Sequence, residues 1–226
     1  MKYKTELHAH TSEVSRCAHI CGEELVDIYE KAGYSTVVIT DHMSKRTFPV
    51  VKKRKWNEYV DDYLIGYNAA KKAAQGRLNI ILGMEISFYE NDNDYLVYGV
   101  DEKFLRRHPN MMEMGIRKFA AVAKRSGLIV IQAHPFRDHM TVIKPGIVEG
   151  IEIFNAHPGH DSRNDIARMW AEKYGYKIRT SGSDFHEVQH GARGGIITDF
   201  EIKTNEDLLK TLRGDFERII TDDIES

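Results

Sequence analysis

The sequence predicts an α/β fold, a distorted (β/α)7 TIM-like barrel forming a single domain over residues 1–226. Short apolar runs rich in β-branched residues recur along the chain. Most are followed by apolar residues at helical spacing, the alternation that repeated βα units produce. Seven such units, with no internal repeat, low-complexity tract or Pro- and Ser-rich linker between them, favour a ring of parallel strands over an open doubly wound sheet. A chain that is 42% hydrophobic and 29% charged has the balance of a globular protein and the length to bury one sizeable core.

Taken in order, a first strand is expected at residues 4–8, and Leu25, Ile28, Tyr29 and Ala32 share one face of the helix that follows. A second strand at 37–40 precedes a long helix over 56–74. Trp56, Tyr59, Val60, Tyr63, Tyr67, Ala70 and Ala74 recur there at three- and four-residue steps. Residues 79–86 read as the third strand and 95–99 as an extra one. Ile116, Phe119, Ala120 and Ala123 mark the next helix, and strands follow at 128–133 and 150–154. Ile166, Met169, Trp170 and Tyr174 predict another sheet-packing helix face, ahead of strands at 177–181 and 195–198. Thr204 with Asp207 three residues on has the form of a capping box, and Leu208, Leu209 and Leu212 place a last helix behind it.

The formal net charge of −2 supplies no global attraction for nucleic acid or an anionic membrane, so an anionic partner must be recognised locally. No run approaches the roughly 18 apolar residues of a membrane span, and the polar start lacks the apolar segment of a signal peptide. A cytoplasmic protein with no membrane partner and no obligate protein partner is expected. Cys17 and Cys21 are the only cysteines, too few for a disulfide scaffold. They read as free thiols, with a zinc-ligand pair as the alternative.

The chemistry lies where histidines and carboxylates fall relative to the strands. His8 and His10 end the first strand, His42 follows the second, Glu85 ends the third and His134 follows the fourth. Asp184 and His186 come after the strand at 177–181, across a glycine. In a parallel βα barrel all strand C-termini open on one face, so these residues converge. Residues two apart on an extended strand point the same way, which lets His8 and His10 grip one ion. Gathering five histidines and two carboxylates would bury several ionisable groups at a large cost unless metals or partners satisfy them. Mixed imidazole and carboxylate ligation suits zinc, manganese or iron. Asp41, beside His42, is expected to orient an imidazole or the backbone.

The segments Leu7-His8-Ala9-His10-Thr11, Ile39-Thr40-Asp41-His42, Gly83-Met84-Glu85-Ile86, Ala133-His134-Pro135-Phe136-Arg137 and Ser181-Gly182-Ser183-Asp184-Phe185-His186 together resemble the PHP (polymerase and histidinol phosphatase) family. They run in family order over nearly the whole chain. The resemblance implies a distorted (β/α)7 barrel with two or three divalent ions, His8, His10, His42, Glu85, His134, Asp184 and His186 as ligands, and Glu85 bridging two ions. Two positions depart from it. Many members have an Asp or His soon after His-x-His, where this chain offers Glu13, Ser15 and Arg16 before Cys17, and Glu13 is the substitute. Many also have a His just before an apolar strand after the glutamate, where this chain has Asp94.

A multinuclear site of this kind lowers the pKa of a bridging water to give a hydroxide and polarises a phosphoryl oxygen, so phosphate ester hydrolysis is the expected reaction. Arg137, three residues beyond His134, stands where a guanidinium could fork onto phosphate, and the resemblance supports that role. Arg193 is a second candidate, because the glycines around it would let backbone N–H groups approach an anion. Asn155 is placed to touch substrate or order a water. His157, His160 and His190 fall in the same rim loops, one of them a candidate to protonate the leaving group. The expected substrate is a small phosphorylated metabolite or nucleotide. A nuclease is the alternative, from the basic segment Lys45, Arg46, Lys52, Lys53, Arg54 and Lys55, and a metal-holding module without catalysis is a third reading.

Overall fold

The computed structural model describes residues 1–48 and 54–221. Along the chain lie β1 (Tyr3–Ala9), α1 (Gly22–Lys31), β2 (Thr36–Ile39), β3 (His42–Met43), α2 (Trp56–Ala74), β4 (Asn79–Leu82), β5 (Met84–Ser87) and β6 (Asp94–Tyr98). Then come α3 (Glu102–Arg107), α4 (Gly115–Arg125), β7 (Ile129–Gln132), β8 (Gly150–Asn155), α5 (Asn164–Lys173), β9 (Ile178–Gly182), β10 (Ile196–Thr198), α6 (Asn205–Arg213) and β11 (Glu217–Arg218). Among the described residues no helix is long and apolar enough to cross a membrane.

The mixed α/β architecture is as expected, but the ladders do not close into one parallel ring. They form a five-stranded sheet, β11-β10-β1-β2-β4, and a six-stranded sheet, β3-β5-β6-β7-β8-β9. The pairs β1/β2, β2/β4, β3/β5, β7/β8 and β8/β9 are parallel. β6 runs antiparallel to both neighbours, and β10 runs antiparallel to β1 and β11. Only residues 88–93 separate β5 from β6, too few for the crossover that a parallel pair needs, so the extra strand returns as a hairpin.

The sheets meet at two seams. At one, β2 runs on toward β3 and β4 toward β5, with Gly83 N donating to Ile39 O at 2.8 Å and Glu85 N to Asp41 O at 3.1 Å. The expected strand at 79–86 breaks there because Gly83 lies against the neighbouring strand, where a Cβ would come within 2.7 Å of Val38 Cγ1. At the other seam His10 N donates to Phe185 O and Phe185 N to His8 O, which joins the end of β1 to the chain leaving β9. Both seams lie where the chemically active residues are.

Helices α1, α2, α4 and α6 bury the faces that their spacing predicts. In the capping box of α6, Thr204 Oγ1 accepts from Asp207 N and Asp207 accepts from Thr204 N, both at 3.1 Å. α5 departs from expectation. Its buried residues are Ala167 and Ala171, while Ile166, Met169 and Tyr174 are exposed and Trp170 is only partly covered. Small residues let this helix lie close to β8, and its larger apolar side chains are turned outward. α3, which apolar spacing did not predict, is started by Asp101, whose side chain accepts from Phe104 N.

Candidate metal centre

The register of β1 against β2 shifts between Glu6 and Ala9, so that Leu7 and Ala9 pack in different parts of the core, while His8 and, just past the strand, His10 both reach Glu85 and Asp184. Glu85, in β5, brings its carboxylate between four imidazoles. Oε1 lies 3.2 Å from His8 Nε2 and 3.1 Å from His134 Nε2, while Oε2 lies 2.8 Å from His42 Nδ1 and 3.4 Å from His10 Nε2. Two oxygens facing different imidazole pairs is the geometry of a bridging carboxylate. Asp184 Oδ1 completes the ring at 3.4 Å from His8 Nε2, 3.3 Å from His10 Nε2 and 3.4 Å from His186 Nδ1. Asp94, at the start of β6, gathers with His42 and Glu85.

The donors fall into overlapping groups with ligand atoms within 4.8 Å of one another: His8, His134 and Asp184; His8, His10 and Glu85; His10, His42 and His186; His42, Glu85 and Asp94. A fifth group, made of the imidazoles of His157, His186 and His190, lies beside them. His8 Nε2, His10 Nε2, Glu85 Oε2 and His134 Nδ1 are buried without a hydrogen-bond partner among the described residues. Native interiors rarely tolerate such a concentration of unpaired nitrogen and oxygen atoms, and divalent cations fit this donor set. His134 and Asp184 both have positive φ, 25° and 51°, a region that side-chain-bearing residues seldom occupy.

Charge follows the same pattern. Burial pushes the carboxyl of Glu85 up, but the imidazoles of His8 and His42 outweigh it and hold the group well below its ordinary value. Asp184 is likewise held low against burial by His8 and Arg137. Both carboxylates therefore stay ionised in a dry site, a fixed negative charge for a cation to meet. Burial, with the charge of Glu85, raises Asp94 to about 6.

Three further predicted residues are held by contacts within the protein. Glu13 is away from the cluster, its carboxylate accepting from Gly22 N at the start of α1 at 3.0 and 3.1 Å. Arg193 lines a cavity of about 840 Å³ with Asn155, His157 and His160, but the backbone N–H groups beside it are not free for an anion. Arg193 N and Gly194 N donate to Ser183 Oγ at 3.0 and 2.9 Å, and Gly194 is required because a Cβ would sit 2.2 Å from the Gly182 carbonyl carbon. Asn155 is a buried hub, accepting from Arg137 Nη2 at 2.8 Å and donating to Glu152 at 3.0 Å and Asp184 at 3.2 Å.

Arg137 lies at the edge of the cluster. Its Nη2 also reaches Asp184 Oδ2 at 2.7 Å and Ser162 Oγ at 3.2 Å, while Nε has no partner. Asp41 orients backbone: it accepts from Thr11 N, Thr11 Oγ1 and Ser15 Oγ, each at 2.7 Å, and so fixes the loop after β1. Burial is the leading reason that His157, His160 and His190 titrate below their ordinary value, His157 at about 3, so these rim imidazoles are neutral near pH 7. Lys45 and Arg46 line a second cavity of about 540 Å³ with His42 and Asp94. Arg54 is paired with Asp62, Lys55 precedes α2, and Lys52 and Lys53 lie outside the described residues.

Three residues of the site escape sequence reasoning. Glu152, in β8, accepts from His8 Nδ1 at 2.9 Å through Oε1 and from His134 N at 2.9 Å through Oε2. Glu6 accepts from His8 N and Ser183 N, both at 2.9 Å, and from Tyr29 Oη, latching β1 to the turn that carries Asp184. Cys17 lines the second cavity with His42, and although burial pushes its thiol up, the imidazoles of His186 and His42 bring it down to about 6. The available signal was an acidic residue inside each apolar strand and a thiol at the position after His-x-His where a ligand is expected.

The backbone is similar to PsfC from Pseudomonas syringae, at 15% identity and TM-score 0.70 over 97% of this chain and 92% of that one. It is similar at 16% identity and TM-score 0.66 to a two-domain protein from Bacteroides vulgatus containing a predicted PHP-like metal-dependent phosphoesterase. That match covers 94% of this chain and 63% of the Bacteroides protein. The lesion-specific endonuclease PfuEndoQ from Pyrococcus furiosus matches at 15% identity and TM-score 0.64, over 96% of this chain and 58% of its own. At these identities the likeness is one of fold. No curated protein matches the sequence. The family model of the PHP domain matches residues 6–183, which takes in the strands and turns that carry all but the last two of the clustered ligand candidates, and the chain belongs to the PHP domain family.

Proposed function

We propose that this protein is a metal-dependent phosphoesterase that hydrolyses a small phosphorylated metabolite or nucleotide. The observation that carries the reading is the convergence of His8, His10, His42, Glu85, Asp94, His134, Asp184 and His186 into one buried cluster with orphaned donor atoms, beside the guanidinium of Arg137. Two or three zinc, manganese or iron ions held there would supply an activated water and polarise a phosphoryl oxygen. The chain's own groups do the rest. Glu85 and Asp184 stay ionised to hold cations, and Glu152 fixes the ring of His8. Arg137, whose guanidinium is held at the edge of the cluster by Asn155, Ser162 and Asp184, would take a phosphate oxygen, and Arg193 lines the cavity that would receive the rest of the molecule.

A nuclease is the second reading, favoured by Arg16, Lys45 and Arg46 around the other cavity and by the likeness in fold to an endonuclease. Hydrolysis with and without added divalent metal separates the two, read as free phosphate for monoesters and as cleaved product for cyclic diesters and short oligonucleotides. Metal-dependent turnover of monoesters supports the first reading and exclusive turnover of oligonucleotides the second. Undiminished turnover after exhaustive chelation would sink both.

A further inference from the structure

We propose that Cys17 is itself a metal ligand, its sulfur completing the imidazole group of His10, His42 and His186. The proposal rests on the metal-centre reading above and adds a soft donor where the family resemblance leads to an Asp or His.

The loop after β1 is fixed on both sides of Cys17 by the residues it would share an ion with. Ser15 Oγ accepts from His42 N at 3.0 Å and donates to Asp41 at 2.7 Å, and His19 N donates to His186 O at 2.8 Å. Ala18 N donates to Ser15 O at 2.9 Å, so the chain turns sharply at Cys17. Cys17 thereby lines the same cavity as His42, on a stretch of backbone tied at one end to His42 and at the other to His186. The ring of His10 lies 4.4 Å from that of His42 and 4.3 Å from that of His186, centroid to centroid.

A second observation points to a ligand at the same place. His10 Nε2 is fully buried and has no hydrogen-bond partner among the described residues, although three imidazoles crowd around it. It lies 3.3 Å from Asp184 Oδ1 and 3.4 Å from Glu85 Oε2, so carboxylates and imidazoles converge on one buried nitrogen in the way that a cation satisfies. The other donors of the loop are engaged elsewhere: Glu13 with Gly22 N, Ser15 with Asp41, and His19 facing Glu187. Glu85 and Asp184 face these imidazoles from one side, and a thiolate would add a further negative donor from the loop on the other. On binding, the thiol loses its proton to solvent and a sulfur–metal bond forms, with no change of oxidation state. Thiolate and imidazole together favour zinc, iron(II) and cobalt(II) over manganese and magnesium.

The test uses the full chain, freed of metal and titrated with cobalt(II) alone. Wild type and Cys21→Ser, whose own thiol faces Glu24, are expected to show visible d–d bands together with a near-ultraviolet sulfur-to-cobalt charge-transfer band. Cys17→Ser and Cys17→Asp should keep the d–d bands and lose the charge-transfer band. In competition, Cys17→Asp should move the preference from zinc toward manganese. Cobalt bound by wild type without the charge-transfer band, or a band that survives in Cys17→Ser, would overturn the thiolate while leaving the metal centre standing. Absence of any d–d band in wild type would remove the metal centre and the proposal with it.

Discussion

At Glu152 one carboxylate holds two of the clustered histidines, His8 through its ring nitrogen and His134 through its backbone. A carboxylate behind a ligating imidazole fixes the tautomer and raises basicity, and its loss typically costs about 10–100-fold in metal affinity. Glu152→Gln keeps the shape and removes the charge, so metal titration should show a loss of that size with the fold intact; unchanged affinity would reduce Glu152 to a packing residue. Arg137→Ala should lower phosphoester turnover by on the order of 3 kcal/mol, or about a hundredfold, with Arg137→Lys recovering only part because a point charge cannot reproduce the fork. The same variant frees Asp184 Oδ2 from its guanidinium partner and removes a positive charge beside the cations, so metal content should stay intact. Wild-type rates in a metal-replete Arg137→Ala protein would sink the phosphate role. At this scale the sequence is legible where a residue's position on a strand decides its surroundings. His8, His10, Glu85 and Asp184 were readable because strand ends converge. Glu152 was not, because a lone acidic residue alternating with Ile151 and Ile153 reads as solvent-facing. Cys17 was not, because the path of a loop depends on hydrogen bonds such as Ser15 to Asp41 that no periodicity records.

Helix α2 reaches the loop beside the centre, and Gly66 is the point at which it meets Thr11 and Asp41. A Cβ there would sit 1.9 Å from Thr11 Oγ1 and 2.9 Å from Asp41 Oδ2, the very pair that fixes the loop after β1. Alanine in a helix interior ordinarily stabilises by about 0.5–1 kcal/mol over glycine. Here overpacking, at roughly 1–3 kcal/mol, should reverse the sign. Gly66→Ala is expected to lower the thermal midpoint and to loosen metal binding; a rise in midpoint would show that Thr11 moves aside freely. At the far end of the chain, Thr204→Ala removes the cap of α6 and should cost about 1 kcal/mol in denaturant unfolding, leaving metal affinity unaltered. The long amphipathic helix α2 and the capped α6 could be read from sequence since their spacing and caps are local. The burial of α5 could not. Its close approach to β8 selects Ala167 and Ala171, and no local rule ranks two alanines above Ile166 and Met169.

Taken whole, the molecule ties its cluster across both seams between the sheets, so metal binding should couple to global stability. With free metal at about a hundred times its Kd, native-state binding contributes about 2.7 kcal/mol, which for a chain of this size raises the thermal midpoint by roughly 5–10 °C. Thermal scans of metal-loaded and chelator-treated protein check this, and coincident midpoints would argue against ligation by the cluster. The parallel ring read from the sequence differs from the two sheets observed because a hairpin at β6 and the reversed β10 depend on loop lengths and edge pairing. Glu6 and Ser183, whose contact latches the site, are 177 positions apart in the chain. A centre closed by so distant a pair is completed late in synthesis: the groups of His8, His10 and Glu85 and of His42, Glu85 and Asp94 lie early in the chain, but those that need Asp184 or His186 wait until most of it has followed. Contacts of such separation form late and slowly. The ion taken up is therefore chosen after folding, from whatever the surroundings then offer to a finished pocket, and growth under different metal supplies should leave its record in the metal content of the purified protein.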